Sequence, residues 1–174
     1  MGENAVLSDI LTVCYGKDHK RLGHGEIPCY GSGGIMRYVD KAIYNGESVL
    51  IPRKGSLNNV IFINEPFWTV DTMFYTQMTH HNVAKFVYFT VRDLDLAGMN
   101  VGSAVPSMTT AVLNALEIVL PSDDALASFE KSVSPMFLQM QANKAESAHL
   151  AALRDMLLPR LMSGEQSIAN FVAK

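Results

Sequence analysis

At 174 residues, 48% of them hydrophobic and 18% charged, the chain can bury one core and carry one appended element, which excludes disorder. A formal net charge of −3 excludes a surface that coats nucleic acid without regard to sequence. Cys14 and Cys29 lie far apart with no C-x-x-C pair, so neither a disulfide framework nor a zinc ribbon is suggested and a reduced, cytoplasmic setting is expected.

In chain order, "MGENAVLSDILTV" has no basic stretch ahead of a long apolar one, and no run approaches the ~20 apolar residues that span a bilayer. A protein that is not exported and not in a membrane is expected. A helix is predicted near the start, within "AVLSDILTV". The β-prone runs "SVLIP", "NVIFIN", "KFVYFTV" and "LEIVLP" then alternate with turn-formers such as Asn45-Gly46, read as a hairpin turn, and Lys54-Gly55-Ser56-Leu57-Asn58-Asn59. Further helices are predicted after His80-His81 and over "TTAVLNAL". The expectation up to residue 121 is a compact, mainly β or α+β domain.

Beyond Pro121 the style changes. No glycine occurs until Gly164, and Leu126, Phe129, Val133, Met136 or Phe137 and Met140, then Leu150, Leu153 and Leu157, step by three or four. This spacing predicts a long amphipathic helix. Ser122 suits its N-cap, Asp123 and Asp124 suit the positive end of its dipole, and Pro159 with Gly164 provide a stop. Pro135 predicts a kink or a short preceding helix, because an interior proline removes an amide donor and clashes with the previous turn. Roughly 35 helical residues would measure about 50 Å, so part of the helix should project and its apolar stripe should need a partner helix, unless the helix breaks and folds back over the sheet.

Cations concentrate early. Residues 1–60 carry seven Lys or Arg against six Asp or Glu, whereas residues 61–120 carry two against five. The early cations are Lys17, Lys20, Arg21, Arg37, Lys41, Arg53 and Lys54. Two glycine-bearing turns, "YGSGG" at 30–34 and "RKGS" at 53–56, flank a β-like run, each followed or preceded by an arginine. Taken alone, such turns are common, and no lysine follows "GSGG" to make a phosphate loop.

Together "IPCYGSGGI", "SVLIPRKGS", "PFWTVDTMFY", "VGSAVPSMTTAVLNALEIVLP" and the tail "LRDMLLPRLMSGE" resemble the specificity subunits of type I restriction-modification systems, from about Leu7 to Glu165. The resemblance implies a DNA target recognition domain over residues 1–121 and a helical spacer over 122–174 that pairs as an antiparallel coiled coil and docks methyltransferase subunits. Family members usually carry two of each region; one of each here implies a half-subunit, either naturally short or truncated, that as two copies would form a homodimer. Two copies about a two-fold axis would read a bipartite palindromic site on double-stranded DNA, with half-sites about one and a half duplex turns apart. A restriction subunit is a further candidate partner.

On that reading the turns at Ser32, Gly33 and Gly55 let the backbone approach phosphates, while Lys17, Lys20, Arg21, Arg37, Arg53 and Lys54 add charge. Ser56, Asn58, Asn59 and Ser107 offer hydrogen bonds, and Tyr30 is a candidate to touch a base or sugar. Ser103 and Pro106 belong to a second candidate loop. Phe129, Val133, Met136, Met140, Leu150, Leu153 and Leu157 would form the helix interface. Phe67, Trp68, Phe74 and Tyr75 read as core aromatics. His80-His81 lacks a third ligand at metal-like spacing and reads as a surface turn. Glu146, Arg154 and Asp155 read as a solvated face or a partner contact.

Catalysis is not expected. The sequence has no Asn-Pro-Pro-aromatic motif, no glycine-rich adenosylmethionine loop and no nuclease carboxylate cluster. The chain would therefore have no cofactor of its own, and S-adenosylmethionine belongs on the partner methyltransferase. A thiol hydrolase built on Cys29 with His19 or His24 is disfavoured by the apolar "IPCY" run, where a thiol is inert. The remaining rival is an assembly module whose recognition domain has lost its DNA face.

Overall fold

In a computed structural model of the chain, residues 2–99 and 107–164 are described. The elements are β1 (Glu3–Val6), α1 (Leu7–Ile10), β2 (Leu11–Tyr15), β3 (Ile27–Gly31), β4 (Gly34–Val39), β5 (Glu47–Pro52), β6 (Ile61–Asn64), β7 (Trp68–Thr69), β8 (Met73–Met78), α2 (Ala84–Arg92), α3 (Thr110–Asn114), β9 (Glu117–Leu120) and α4 (Asp123–Met162). A mainly β domain followed by a long C-terminal helix is the α+β class expected. The chain divides into two compact units, 1–130 and 131–174. The change of sequence style at Pro121 lies before that division because Leu126, in the second turn of α4, is buried in the core of the first unit.

The first unit is layered around a four-stranded sheet ordered β2-β8-β5-β6. Side chains alternate across a strand, and both faces of this sheet are covered. Val49, Ile51 and Phe74 join a core with Val83, Val87 and Val91 of the α2 segment and with Leu7, Leu113 and Leu126. Leu50, Met73 and Tyr75 point the other way, toward Tyr30 and Phe67, beside a three-stranded sheet ordered β4-β3-β7. Burial on both faces explains why "SVLIP" is apolar without alternation. The β5–β8 ladder has backbone pairs at Ile51↔Phe74 and Pro52↔Met73, and hydroxyls extend it. Ser48 Oγ donates to the Thr76 carbonyl at 2.7 Å, and Thr76 Oγ1 accepts from the Val49 amide at 2.8 Å. β1 and β9 form a separate antiparallel ribbon.

Several expectations are corrected. The helix within "AVLSDILTV" is the single turn α1, closed by the Val6 amide donating to Asp9 Oδ2 at 2.9 Å, and strands occupy both flanks. "KFVYFTV" is helical, not β: Ala84, Val87 and Val91 bury one stripe at i, i+3 and i+7, and this fit to the sheet overrides the weak strand preference of valine, phenylalanine and tyrosine. Asn45-Gly46 is a corner between different sheets, not a hairpin turn, since β4 pairs with β3 and β5 with β6 and β8. Gly46 has φ +138°, a backbone state that favours glycine.

α4 runs through both Pro135 and Pro159 and ends at Met162, so no separate short helix precedes Pro135 and the helix does not stop at Pro159. Each proline leaves one carbonyl, on Lys131 and on Asp155, without its intrahelical donor. Both residues are exposed, so water can supply that donor. The stop comes at Gly164, with φ +76° and its amide donating to the Leu161 carbonyl, the left-handed end that glycine favours. Forty helical residues correspond to about 60 Å.

The first turns of α4 are tied to the domain by a buried cation. Lys85 Nζ lies 2.6 Å from both Glu47 Oε1 and Glu130 Oε1. Burial works against the ammonium form, but the two hydrogen bonds and carboxylate charges outweigh it and hold the Lys85 pKa above its ordinary value. Nearby, the Phe129 ring meets Phe89 edge-on at 6.2 Å.

Candidate nucleic-acid interface

The two glycine turns singled out in the sequence meet in space. β3 and β4 form a hairpin whose pairing ends at Gly31↔Gly34, leaving Ser32 and Gly33 at the tip. Gly34 has φ +116°, which permits so short a reversal. The second turn leaves β5 after Pro52 and reverses at Gly55, φ +84°. Thr72, between β7 and β8, holds both turns. Its carbonyl accepts the Arg53 and Lys54 amides at 2.8 and 3.3 Å, and its Oγ1 accepts the Ser32 amide at 3.4 Å. Asn59 Nδ2 closes the arrangement by donating to the Ser32 carbonyl at 2.8 Å. A Cβ at Gly55 would come within 2.7 Å of Ser32 Oγ, whereas one at Gly33 would meet nothing within 4 Å. Gly55 is therefore required for turn-to-turn contact, and Gly33 presents open backbone.

Arg53 and Ser107 join this group. The Arg53 carbonyl accepts the Met108 amide at 2.8 Å, and Lys54 bridges Ser107 in antiparallel fashion. The Arg53 guanidinium stands 5.5 Å from the Tyr15 ring centroid, and its Nη1 donates to the Asp71 carbonyl at 3.2 Å. Lys54, Ser56 and Asn58 are exposed around it. Among the described residues, no carboxylate lies within ion-pair distance of Arg53, Lys54, Lys17, Lys20 or Arg21. The same is true of Arg37, Lys41, Lys131, Lys144 and Arg160, so what distinguishes Arg53 and Lys54 is their place beside the two glycine turns.

Lys17, Lys20 and Arg21 sit on a separate loop. Its start is fixed by the Lys17 amide donating to Thr69 and by Trp68 Nε1 donating to the Lys17 carbonyl at 3.0 Å. Its far end is fixed by the Gly23 amide on Asp40 Oδ1 at 3.0 Å. Lys20 and Arg21 are exposed between these anchors, and no hydrogen bond or ion pair joins them to the Thr72-centred group. Ser103 and Pro106 lie outside the described residues.

Two expected contact residues have other tasks. Tyr30 is 4% exposed and packs with Phe67 and Leu50, so its ring cannot reach a base. Burial, with Glu65 and Tyr38 nearby, pushes its pKa up to about 12. Arg37 donates through Nη2 to the Leu22 and Gly23 carbonyls at 2.8 and 3.1 Å, so it straps the 16–26 loop to β4. Tyr30 is turned inward, and a sequence window does not show which side of a strand faces the core, whereas Arg37 is half-buried and carries this structural task beside the expected one. Cys29 is wholly buried and burial raises its thiol pKa, which disfavours the thiolate a hydrolase would need.

Sequence reasoning missed Tyr15 and Thr72. Tyr15 is 52% exposed, its hydroxyl lies 3.4 Å from Thr110 Oγ1, and its ring meets Phe74 edge-on at 5.1 Å. The aromatic at the end of "LTVCY" was a visible signal; its pairing with Arg53 was not. Met36 and Tyr38 on β4 are also exposed.

Among the described residues, no group of His, Cys, Asp and Glu could hold a metal ion, and no helix is long and apolar enough to cross a membrane. Residues 5–127 match the family model for the type I restriction modification DNA specificity domain. A specificity subunit of the type I restriction enzyme HindI from Haemophilus influenzae is 36% identical over 64 residues, 37% of this chain and 14% of that protein. The crystal structure of the S subunit of a type I restriction-modification system from M. genitalium superposes with a TM-score of 0.70 at 18% identity, covering 90% of this chain and 44% of that one. The HsdS subunit from Thermoanaerobacter tengcongensis superposes with a TM-score of 0.53 at 14% identity, covering 91% and 44%. The chain thus spans less than half the length of these relatives. With 123 consecutive residues matched, from β1 to the second turn of α4, the chain belongs to the type I restriction-modification DNA specificity domain family.

Proposed function

We propose that this chain is a DNA specificity half-subunit of a type I restriction-modification complex. Residues 1–121 read one half-site, and the helical region over 122–174 pairs antiparallel with a second copy and docks methyltransferase subunits. The observation that carries the reading is the Thr72-centred junction, where two glycine turns expose backbone beside the unpaired cations Arg53 and Lys54. Amide donors and cations fix a protein on phosphates, and an arginine or asparagine edge reads bases. The domain's role is recognition without chemistry; methyl transfer, with its S-adenosylmethionine, is the partner's task. A restriction subunit would join through that same assembly.

The helix supports the pairing. Met136, Met140 and Leu150 are 56–64% exposed, while Val133, Leu153 and Leu157 are half-buried. Leu138 and Met156, five turns apart, fall together on the side away from Met136 and are also exposed. One apolar face suits a second copy, and the other suits a methyltransferase subunit.

Light scattering across a tenfold concentration range tests the dimer: twice the 19.1 kDa chain mass is expected, and a monomer at every concentration overturns homodimerisation. Nuclease footprinting of DNA bound by the chain with its methyltransferase subunits tests recognition. Two protected half-sites are expected; no protection would leave the assembly module, with an inactive recognition domain, as the function.

A further inference from the structure

Arg53 and Lys54 are neighbours in sequence, equally unpaired by carboxylates, yet the fold treats them differently. The Arg53 guanidinium is held in two ways: its Cζ lies over the Tyr15 ring, 5.5 Å from the centroid, and its Nη1 donates to the Asp71 carbonyl at 3.2 Å. The backbone that carries it is fixed as well. The Arg53 amide donates to Thr72 and its carbonyl accepts from Met108, and Tyr15 itself rests edge-on against buried Phe74. Using Nη1 as the anchor leaves the opposite edge, Nε with Nη2, with no hydrogen bond among the described residues. Among the described residues, Lys54 has no comparable stack or anchor, and its side chain is exposed.

A phosphate needs charge and tolerates many approach angles, so a flexible lysine serves it well. A base edge needs two donors at fixed spacing in one plane. A guanidinium held at Cζ and at Nη1, with a two-donor edge unused among the described residues, meets that need, and its chemical complement is the O6 and N7 acceptor pair of guanine in the major groove. We propose that Arg53 is a specificity-determining residue that reads one guanine in each half-site through its Nε–Nη2 edge, with Tyr15 as the positioning residue that holds the guanidinium plane and Lys54 as a backbone contact. The proposal rests on the reading of this domain as a DNA recognition domain and adds which side chain reads which base.

The experiment is selection from a pool of randomised duplexes by the chain assembled with its methyltransferase subunits, at one fixed salt concentration, for wild type and five variants. Wild type should enrich a bipartite motif containing a guanine in each half. Arg53→Ala should lose the preference at that position alone, with discrimination falling about tenfold or more. Arg53→Gln should shift the same position toward adenine, the base whose edge complements a glutamine amide. Tyr15→Leu should weaken the guanine preference, and Tyr15→Phe, which keeps the ring but loses the hydroxyl, should retain it. Lys54→Ala should select the unchanged motif with lower affinity at every sequence and a salt slope smaller by about 1.

An unaltered motif for both Arg53 variants overturns the assignment while leaving DNA recognition intact. The absence of any motif for wild type overturns the recognition reading itself, and the assignment with it, so the two failures are told apart. Thermal unfolding of each variant accompanies the selection. The Arg53→Gln shift is a gain of preference that loss of folding cannot mimic.

Discussion

In the first unit Phe67, Phe74, Leu50 and Ile51 have no exposed surface, and a buried lysine meets two carboxylates. In the second, every residue from Gln141 to Leu150 is exposed, and Met136, Leu138 and Met140 are 62–64% exposed. Both are regular structure, but they derive from different sources. The domain's strands acquire meaning only by pairing across the chain and burying both faces of one sheet. The helix satisfies its own backbone bonds one turn at a time, and keeps apolar side chains that gain nothing from water. The core of the first unit closes on itself, whereas the helix keeps apolar side chains exposed, which is what the proposed pairing through the helix would use.

That contrast can be broken or sharpened by substitution. The largest effect on unfolding is expected from Phe74→Ala, because Phe74 is wholly buried between Ile51 and the α2 stripe; truncation there should cost about 4 kcal/mol, measured by urea denaturation. A value below about 1 kcal/mol would mean that the central sheet is not the source of stability.

Lys85→Met comes next, at about 3 kcal/mol, since it leaves Glu47 and Glu130 facing each other without their shared cation. Its pH dependence is fixed by sign. The folded Lys85 pKa is raised, so the stability it contributes is complete below the unfolded value of ~10.4 and is lost only as pH rises through the higher folded value. The gap between wild type and Lys85→Met should be constant from pH 7 to pH 9 and should narrow by pH 11. A gap that closes by pH 9 would assign the effect to another group.

Arg37→Ala should cost about 1 kcal/mol, the worth of a strap between a charged donor and two carbonyls, and should raise amide hydrogen exchange at Leu22 and Gly23. If exchange there is unchanged, Arg37 is free for another contact and its placement in the DNA face regains support. The smallest effect belongs to Leu153→Asp. Unfolding of residues 1–130 should shift by less than about 0.5 kcal/mol, while the solution mass falls to that of one chain. A large loss of domain stability would contradict the separation drawn above.

The parts legible in the sequence are those with local causes. The strands β5 and β9 were visible in "SVLIP" and "LEIVLP". α4 was visible in its spacing and its acidic first turn, and the family resemblance followed from motifs along most of the chain. "KFVYFTV" was misread because composition favoured a strand while the open face of the central sheet favoured a helix. Pro135 did not end a short preceding helix: α4 is continuous through it, and the Lys131 carbonyl that loses its donor is exposed to water.

At the candidate site the residue types were legible before the fold: glycines able to turn, cations in the first third of the chain, and an aromatic at the end of β2. Only the tertiary structure decided their roles. Thr72, distant from both turns in sequence, joins them; the pleat of β3 turns Tyr30 inward; Arg37 straps a loop; and the pairing of β2 with β8 brings Tyr15 beneath Arg53. The reason is that turn and helix signals reside in neighbouring residues, whereas the direction of a strand side chain and the partner of a cation depend on contacts dozens of residues apart.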